Sequence, residues 1–205
     1  MSSLKITDIK SQVKRAGRVS IYIDDEYSFS LSDTSLLDSD IRVGHEITPE
    51  QLEEYKALSG SDKAFDRALN FLAIRPRSAW ELRSYLLRKD YETEQADTIV
   101  NKLSDRGYLD DEQFARSWVD SRHLLKSISK RKLALELKIK RIEQSIIDKV
   151  LSEDETDELE DLRKLVAKKS RLSQYRDPQK LTRYLISQGY NYSDIKSALG
   201  GGGGA

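Results

Sequence analysis

The sequence predicts a mainly α-helical protein: three tandem three-helix repeats forming an elongated curved array, preceded by a small antiparallel β-sheet module. Three observations predict it. Apolar residues alternate with period two over the first thirty or so residues, one set of helix-spaced apolar anchors recurs three times after residue 60, and capping residues punctuate those recurrences.

The module over 1–60 comes first. Leu4, Ile6 and Val13, then Val19, Ile21 and Ile23, then Tyr27, Phe29 and Leu31 alternate with polar neighbours, which predicts about three strands. Tight turns fall at Ala16–Gly17 and Asp24–Glu26. Thr48 as N-cap, Pro49 at the first helical position and Gln51 reaching back as a capping box start a short helix, expected to end near Leu58. The polar run Ser59–Asp62 then reads as a linker.

The repeats occupy 61–110, 111–154 and 155–199. Leu82, Leu86, Tyr91, Ile99 and Leu103 recur as Leu133, Leu137, Ile142, Ile147 and Leu151, and again as Leu181, Leu185, Tyr190, Ile195 and Leu199. Upstream, Phe114 and Trp118 correspond to Leu162 and Val166, with Phe65 and Leu69 in the first repeat. Ser78 with Glu81 makes a capping box, and Asp177 with Pro178 opens the equivalent helix of the third repeat. Gly107 and Gly189 supply the positive φ that helix C-termini favour. Arg141 stands where Gly189 stands one repeat later, so either it bears a left-handed conformation at a cost of about 1 kcal/mol or that helix ends differently. The Gly-rich tail 200–205 is expected to be flexible and outside the fold.

Bulk properties narrow the function. Of 205 residues, 38% are hydrophobic and 34% charged, which suits helices that each keep a wide wet face. With no cysteine, disulfides, thiolate metal sites and cysteine nucleophiles are excluded. No apolar run reaches the length of a membrane span and the N-terminus lacks a secretory signal, so a cytoplasmic protein without membrane partners is expected. Nothing resembles a self-association seam, and a monomer is expected.

No motif points to catalysis. His45 and His123 lie far apart with no nucleophile pattern, and phosphate-loop, dinucleotide and zinc-protease motifs are absent. The densest stretch, "GYLDDEQFARSWVDSR" (107–122), reads as structural. Tyr108 and Leu109 pack, Asp110 or Asp111 caps the helix that follows in preference to holding a metal, and Phe114 and Trp118 face the core. Neither an enzymatic role nor a cofactor is expected.

Charge is balanced overall, at 35 basic and 35 acidic residues, yet uneven locally. Between Arg122 and Arg141 the chain carries Arg122, Lys126, Lys130, Arg131, Lys132, Lys138, Lys140 and Arg141 against the single acid Glu136. This marks either one basic face or a solvated helix surface. With Arg75, Arg77 and Arg116 at repeat edges, these residues form the expected contact set for a protein partner or DNA.

The segments "RALNFLAIRPRSAWELRSYLLRKDY", "GYLDDEQFARSWVDSR", "LALELKIKRIEQSIID" and "YLISQGYNYSDIKSAL" together resemble the RecX family of bacterial recombination regulators, over about residues 64 to 199. The opening "RVSIYIDDEYSFSLS" is similar to the N-terminal β extension of some members. Arg141 replaces a usual glycine in "KGI", and Asp25 a common turn glycine. The resemblance implies a non-enzymatic regulator that binds the RecA–DNA filament along its groove, with single-stranded DNA nearby or weakly bound, and inhibits recombinase, ATPase and coprotease activities. Two other readings stay open: a DNA-binding helical-repeat protein, and a protein-binding adaptor unrelated to recombination.

Overall fold

The computed structural model describes residues 3–13, 15–125 and 127–200. The chain forms two compact units, Met1–Arg75 with Leu82–Lys102, and Pro76–Glu81 with Leu103–Ala205.

The first unit opens with the anticipated strands, β1 (Leu4–Ser11), β2 (Arg18–Ile23) and β3 (Glu26–Ser32). A short helix α1 (Asp33–Leu37) and a two-residue strand β4 (Glu46–Ile47), neither anticipated, complete an antiparallel sheet of order β3-β2-β1-β4. The β2–β3 turn is Asp24–Asp25, both left-handed at φ 48° and 68°. A two-residue hairpin of the twist-matching type needs positive φ at both positions, and aspartate tolerates it better than most side chains. Ile6, Val19, Ile21, Ile23, Phe29, Leu31, Ile41 and Ile47 form the core, whereas Val13 is fully exposed next to the β1–β2 turn.

Thr48, Pro49 and Gln51 start helix α2 as expected, with both capping-box hydrogen bonds made. The helix does not stop at Leu58: α2 runs unbroken over Pro49–Ile74, so the expected linker at Ser59–Asp62 is helical. The polar residues that read as a linker are spent on the sheet. Buried Ser59 Oγ donates to the Ser30 carbonyl at 2.7 Å, and the Asp62 carboxylate accepts from the Ser32 backbone and from the Ser32 and Ser35 hydroxyls. Arg18, 5% exposed on β2, is held by Asp66 and by the Ser30 carbonyl, with Asp62 at 3.9 Å. Buried polar groups persist only where partnered, so tertiary contact overrides the weak local preference. The unit is completed by most of helix α3 (Ala79–Leu87) and helix α4 (Thr93–Asp105). Tyr85 stacks on Phe71 with centroids 3.9 Å apart, and Arg83 pairs with Asp97.

The second unit holds helices α5 (Asp111–Leu125), α6 (Lys130–Ile139), α7 (Gln144–Glu153), α8 (Glu158–Ser170), α9 (Pro178–Ser187) and α10 (Tyr192–Gly200), with a 3-10 turn at Ser173–Tyr175. The recurrent anchors are core residues. Leu133, Leu137, Ile142 and Ile147 are buried with Phe114, and Leu181, Leu185, Tyr190 and Ile195 with Leu162. The middle helix of each repeat (α3, α6, α9) is followed by a left-handed residue: Asp90 at φ 63°, Arg141 at 58° and Gly189 at 92°. Arg141 thus takes the strained cap, and α6 ends as its glycine-terminated counterpart does.

A second regularity joins neighbouring repeats within this unit. Ser78, at the start of α3, donates its hydroxyl to the Lys140 carbonyl at the end of α6, at 3.0 Å. One repeat on, the backbone N–H of Ser129, N-cap of α6, donates to the Gln188 carbonyl at the end of α9, at 3.1 Å. Both serines are fully buried. The starts of α3 and α6 thus each supply a donor to the carboxyl end of the following middle helix, where exposed carbonyls need donors.

Candidate functional site

Helix α5 begins as the acidic run predicts, with one refinement. Asp110 caps it by accepting from the Gln113 N–H at 2.9 Å, whereas Asp111 accepts from the Ala79 N–H at 2.8 Å and so serves the start of α3. Burial pushes the Asp111 carboxyl up despite that bond, with Asp110 and Glu81 adding repulsion. Leu109 is buried, but Tyr108, expected to pack, lies exposed directly after the left-handed Gly107. Among the described residues no group of three or more acids and histidines is placed to hold a metal ion.

The basic stretch separates into two sets. One set is committed within the fold. Arg122 donates to Glu136 at 2.6 Å and lies over the Trp118 ring at 4.4 Å, while Trp118 donates its indole N–H to the same carboxylate at 2.9 Å. Lys140 donates to Glu81 at 2.6 Å and also lies over Trp118, at 4.9 Å. Lys132 reaches the Ser187 carbonyl at 2.8 Å and the Gln188 side chain at 3.1 Å, placing a cation at the carboxyl end of α9. Lys130 does the same at the end of α7, donating to the Leu151 and Asp154 carbonyls. A cation at a helix C-terminus satisfies leftover carbonyls and complements the dipole. Arg116 bridges Glu112 and Glu153, with Lys149 on the same Glu112.

His123 joins this internal network through Asp154 at 3.1 Å. Burial raises the Asp154 carboxyl, but hydrogen bonds from Thr156 and His123 outweigh burial and hold it below the usual aspartate range. His45 is exposed, its Nδ1 3.0 Å from the Asp40 carbonyl.

The other set faces outward. Arg131, Lys138 and Arg141 are exposed and make no ion pair among the described residues. Arg75 is exposed at the end of α2 and Arg77 half-buried, and neither is without a partner. Lys126 lies outside the described residues.

Arg131 and Lys138 share a face of α6 with two side chains that charge counting misses. Leu135 is 54% exposed and Ile139 71%. Positions 131, 135, 138 and 139 fall within one stripe of a helix with 3.6 residues per turn, opposite the buried Leu133 and Leu137. The available signal was an apolar pair offset by two from the anchors. An apolar–cationic stripe can anchor a partner through its aliphatic groups while arginine and lysine meet carboxylates or phosphates at the rim.

Among the described residues no helix is long and apolar enough to cross a membrane.

Comparison with known proteins matches successive stretches of the chain. Family profiles described as the RecX N-terminal domain and the first, second and third RecX three-helix domains match residues 4–48, 64–111, 110–151 and 155–199. "Regulatory protein RecX" from Listeria welshimeri is 30% identical over 95% of this chain and 74% of its own length. The protein of that name from Bacillus subtilis is 30% identical over 95% of this chain and 75% of its own. A crystal structure of a regulatory protein RecX superposes with a TM-score of 0.79 at 26% identity, covering 96% of this chain and 99% of the other.

Proposed function

This chain belongs to the RecX family of regulatory proteins, and on that premise we propose that it is a non-enzymatic, cytoplasmic regulator of RecA. It binds the RecA–DNA filament along its groove and restrains recombinase, ATPase and coprotease activity. Such control requires no chemistry from the regulator, only a difference in its affinity for two filament states.

The observation that carries the reading is the outward stripe of α6, where Arg131, Leu135, Lys138 and Ile139 remain exposed while neighbouring cations are consumed internally. Balanced charge with one such stripe suits a protein partner better than a long phosphate track, whose binding would need many unpaired cations.

The test is single-stranded-DNA-dependent ATP hydrolysis by a bacterial RecA with this protein titrated in, alongside binding to bare DNA. Inhibition is expected at concentrations that leave bare DNA unbound. The pair Arg131→Glu and Lys138→Glu should raise the concentration for half-inhibition by about tenfold, since losses of 1–2 kcal/mol are typical where central contacts are removed. Inhibition that appears only when bare DNA is saturated, or that survives both reversals in a folded protein, refutes the assignment.

A further inference from the structure

The first unit contains a cavity of about 580 Å³ that the regulatory reading does not use. Its wall is built from the β1–β2 turn (Arg15, Gly17), the first residue of β2 (Arg18), one face of α2 (Lys63, Asp66, Arg67) and two tyrosines, Tyr85 and Tyr91. This volume lies within the range of about 300–1,000 Å³ typical of small-ligand sites.

The charge of the wall is one-sided, and buried Arg18 is the reason. Its guanidinium holds Asp66, the only acid among the described residues of the wall, and has Asp62 at 3.9 Å, while Asp62 is further engaged by Ser32 and Ser35. Arg15, Lys63 and Arg67 consequently face the cavity without an ion-pair partner among the described residues. The Arg18 Nε–H, buried with no acceptor, adds an unsatisfied positive dipole behind that wall. Like charges held together cost free energy unless an anion joins them.

The rings narrow the class of anion. Tyr85 is fixed by its stack on Phe71, with the planes 2° apart, and Tyr91 lies 5.7 Å from the Arg67 guanidinium. A flat ring attached to an oxyanion would find aromatic wall beside guanidinium and ammonium donors, an arrangement that stacks bases with little regard for their identity.

We propose that this cavity binds a nucleotide, its phosphate met by Arg15, Lys63 and Arg67 and its base lying against Tyr85 or Tyr91. The chemistry recognised is the same whether the nucleotide is free or one unit of a single strand.

The test uses the full chain and fluorescence anisotropy with a labelled adenosine 5′-phosphate and, separately, a labelled short single-stranded oligonucleotide. Binding of either probe is expected, weakening as salt rises. Lys63→Gln with Arg67→Gln, two exposed positions, should weaken it by about tenfold or more at unchanged melting temperature, as loss of charge-assisted bonds requires. The control pair Arg131→Gln and Lys138→Gln on α6 should leave it unchanged, which separates this site from the regulatory surface. Preference for the oligonucleotide identifies a strand as the source, and preference for the free compound identifies a soluble nucleotide. Equal displacement by inorganic phosphate, or by an oligoglutamate peptide, overturns the nucleotide assignment. So does binding that is absent, or that the α2 pair does not alter.

Discussion

Replacing Gly189 by alanine tests the packing of consecutive repeats most directly. A Cβ at this position would lie 2.3 Å from Ser129 Oγ, 2.8 Å from Lys132 Cβ and 3.1 Å from Lys132 N, and the residue sits at φ +92°. The left-handed conformation alone costs alanine about 1–2 kcal/mol. Relief of the clash requires either turning Ser129 Oγ away from the Lys132 N–H it caps, worth about 1 kcal/mol, or moving α6 off α9, for which overpacking costs of about 1–3 kcal/mol are usual. The expected total is therefore about 2–5 kcal/mol.

Two companion variants isolate the terms. Gly107 has φ +74° but nothing within 4 Å of where an alanine Cβ would lie, so Gly107→Ala should show the backbone cost alone. Arg141 occupies the Gly189-equivalent position at φ 58°, so Arg141→Gly should stabilise by about 0.5–1 kcal/mol as strain is released. Urea unfolding followed by tryptophan fluorescence is the assay, since both tryptophans, Trp80 and Trp118, lie in the second unit. If Gly189→Ala and Gly107→Ala cost the same, the close approach of α6 to the Gly189 backbone does not exist. A destabilising Arg141→Gly would refute the strained cap.

Ser78→Ala should lower the urea midpoint of the second unit by the equivalent of about 2 kcal/mol, because it removes the capping-box oxygen and strands the Lys140 carbonyl it serves. In the first unit, Asp62→Ala leaves Arg18 buried with Asp66 as its remaining carboxylate and uncaps Ser32. A loss of about 3 kcal/mol is expected, visible as earlier proteolysis of the sheet module, and unchanged protection would contradict the buried cluster. Two aspartates of the second unit should respond to pH with opposite sign. Asp154 is held below its ordinary value of 3.8, so its contribution is complete above that pH and fades as pH falls through the depressed value; Asp154→Asn should cost stability at pH 7 and progressively less as the solution is acidified below 3.8. Asp111 is raised, so its ionised form opposes folding above its folded value. Asp111→Asn, which keeps an acceptor for the Ala79 N–H, should be neutral or mildly stabilising at pH 7. Urea midpoints across pH 2–8 check both.

Much of the candidate site was readable as composition but not as geometry. The cluster of cations between Arg122 and Arg141 is plain in the sequence, yet Lys132 and Lys140 find their partners 55 and 59 residues away. A charge count cannot tell a cation that fastens two repeats from one that waits for a partner. Leu135 and Ile139 do not stand out in the sequence for a related reason: an apolar residue in an amphipathic helix reads as core by default, and only the packing of α6 reveals which of its apolar positions stay wet.

By itself the sequence determined what short-range physics controls. The period-two strands, the capping boxes at Thr48 and Ser78 and the glycine caps at 107 and 189 all involve residues within a turn or two of each other, the thrice-repeated anchors follow the helical period inside each helix, and the structure contains each of them. Tertiary structure decided what depends on distant partners. Helix α2 continues through Ser59–Asp62 because those polar groups are satisfied by a sheet edge nearly thirty residues earlier, and the cavity beside Arg18 exists because a strand turn, a helix face and two tyrosines converge. Local hydrogen-bonding preference is worth tenths of a kcal/mol per residue, whereas stranding a buried donor or charge costs several, so the long-range partners prevail where the two conflict.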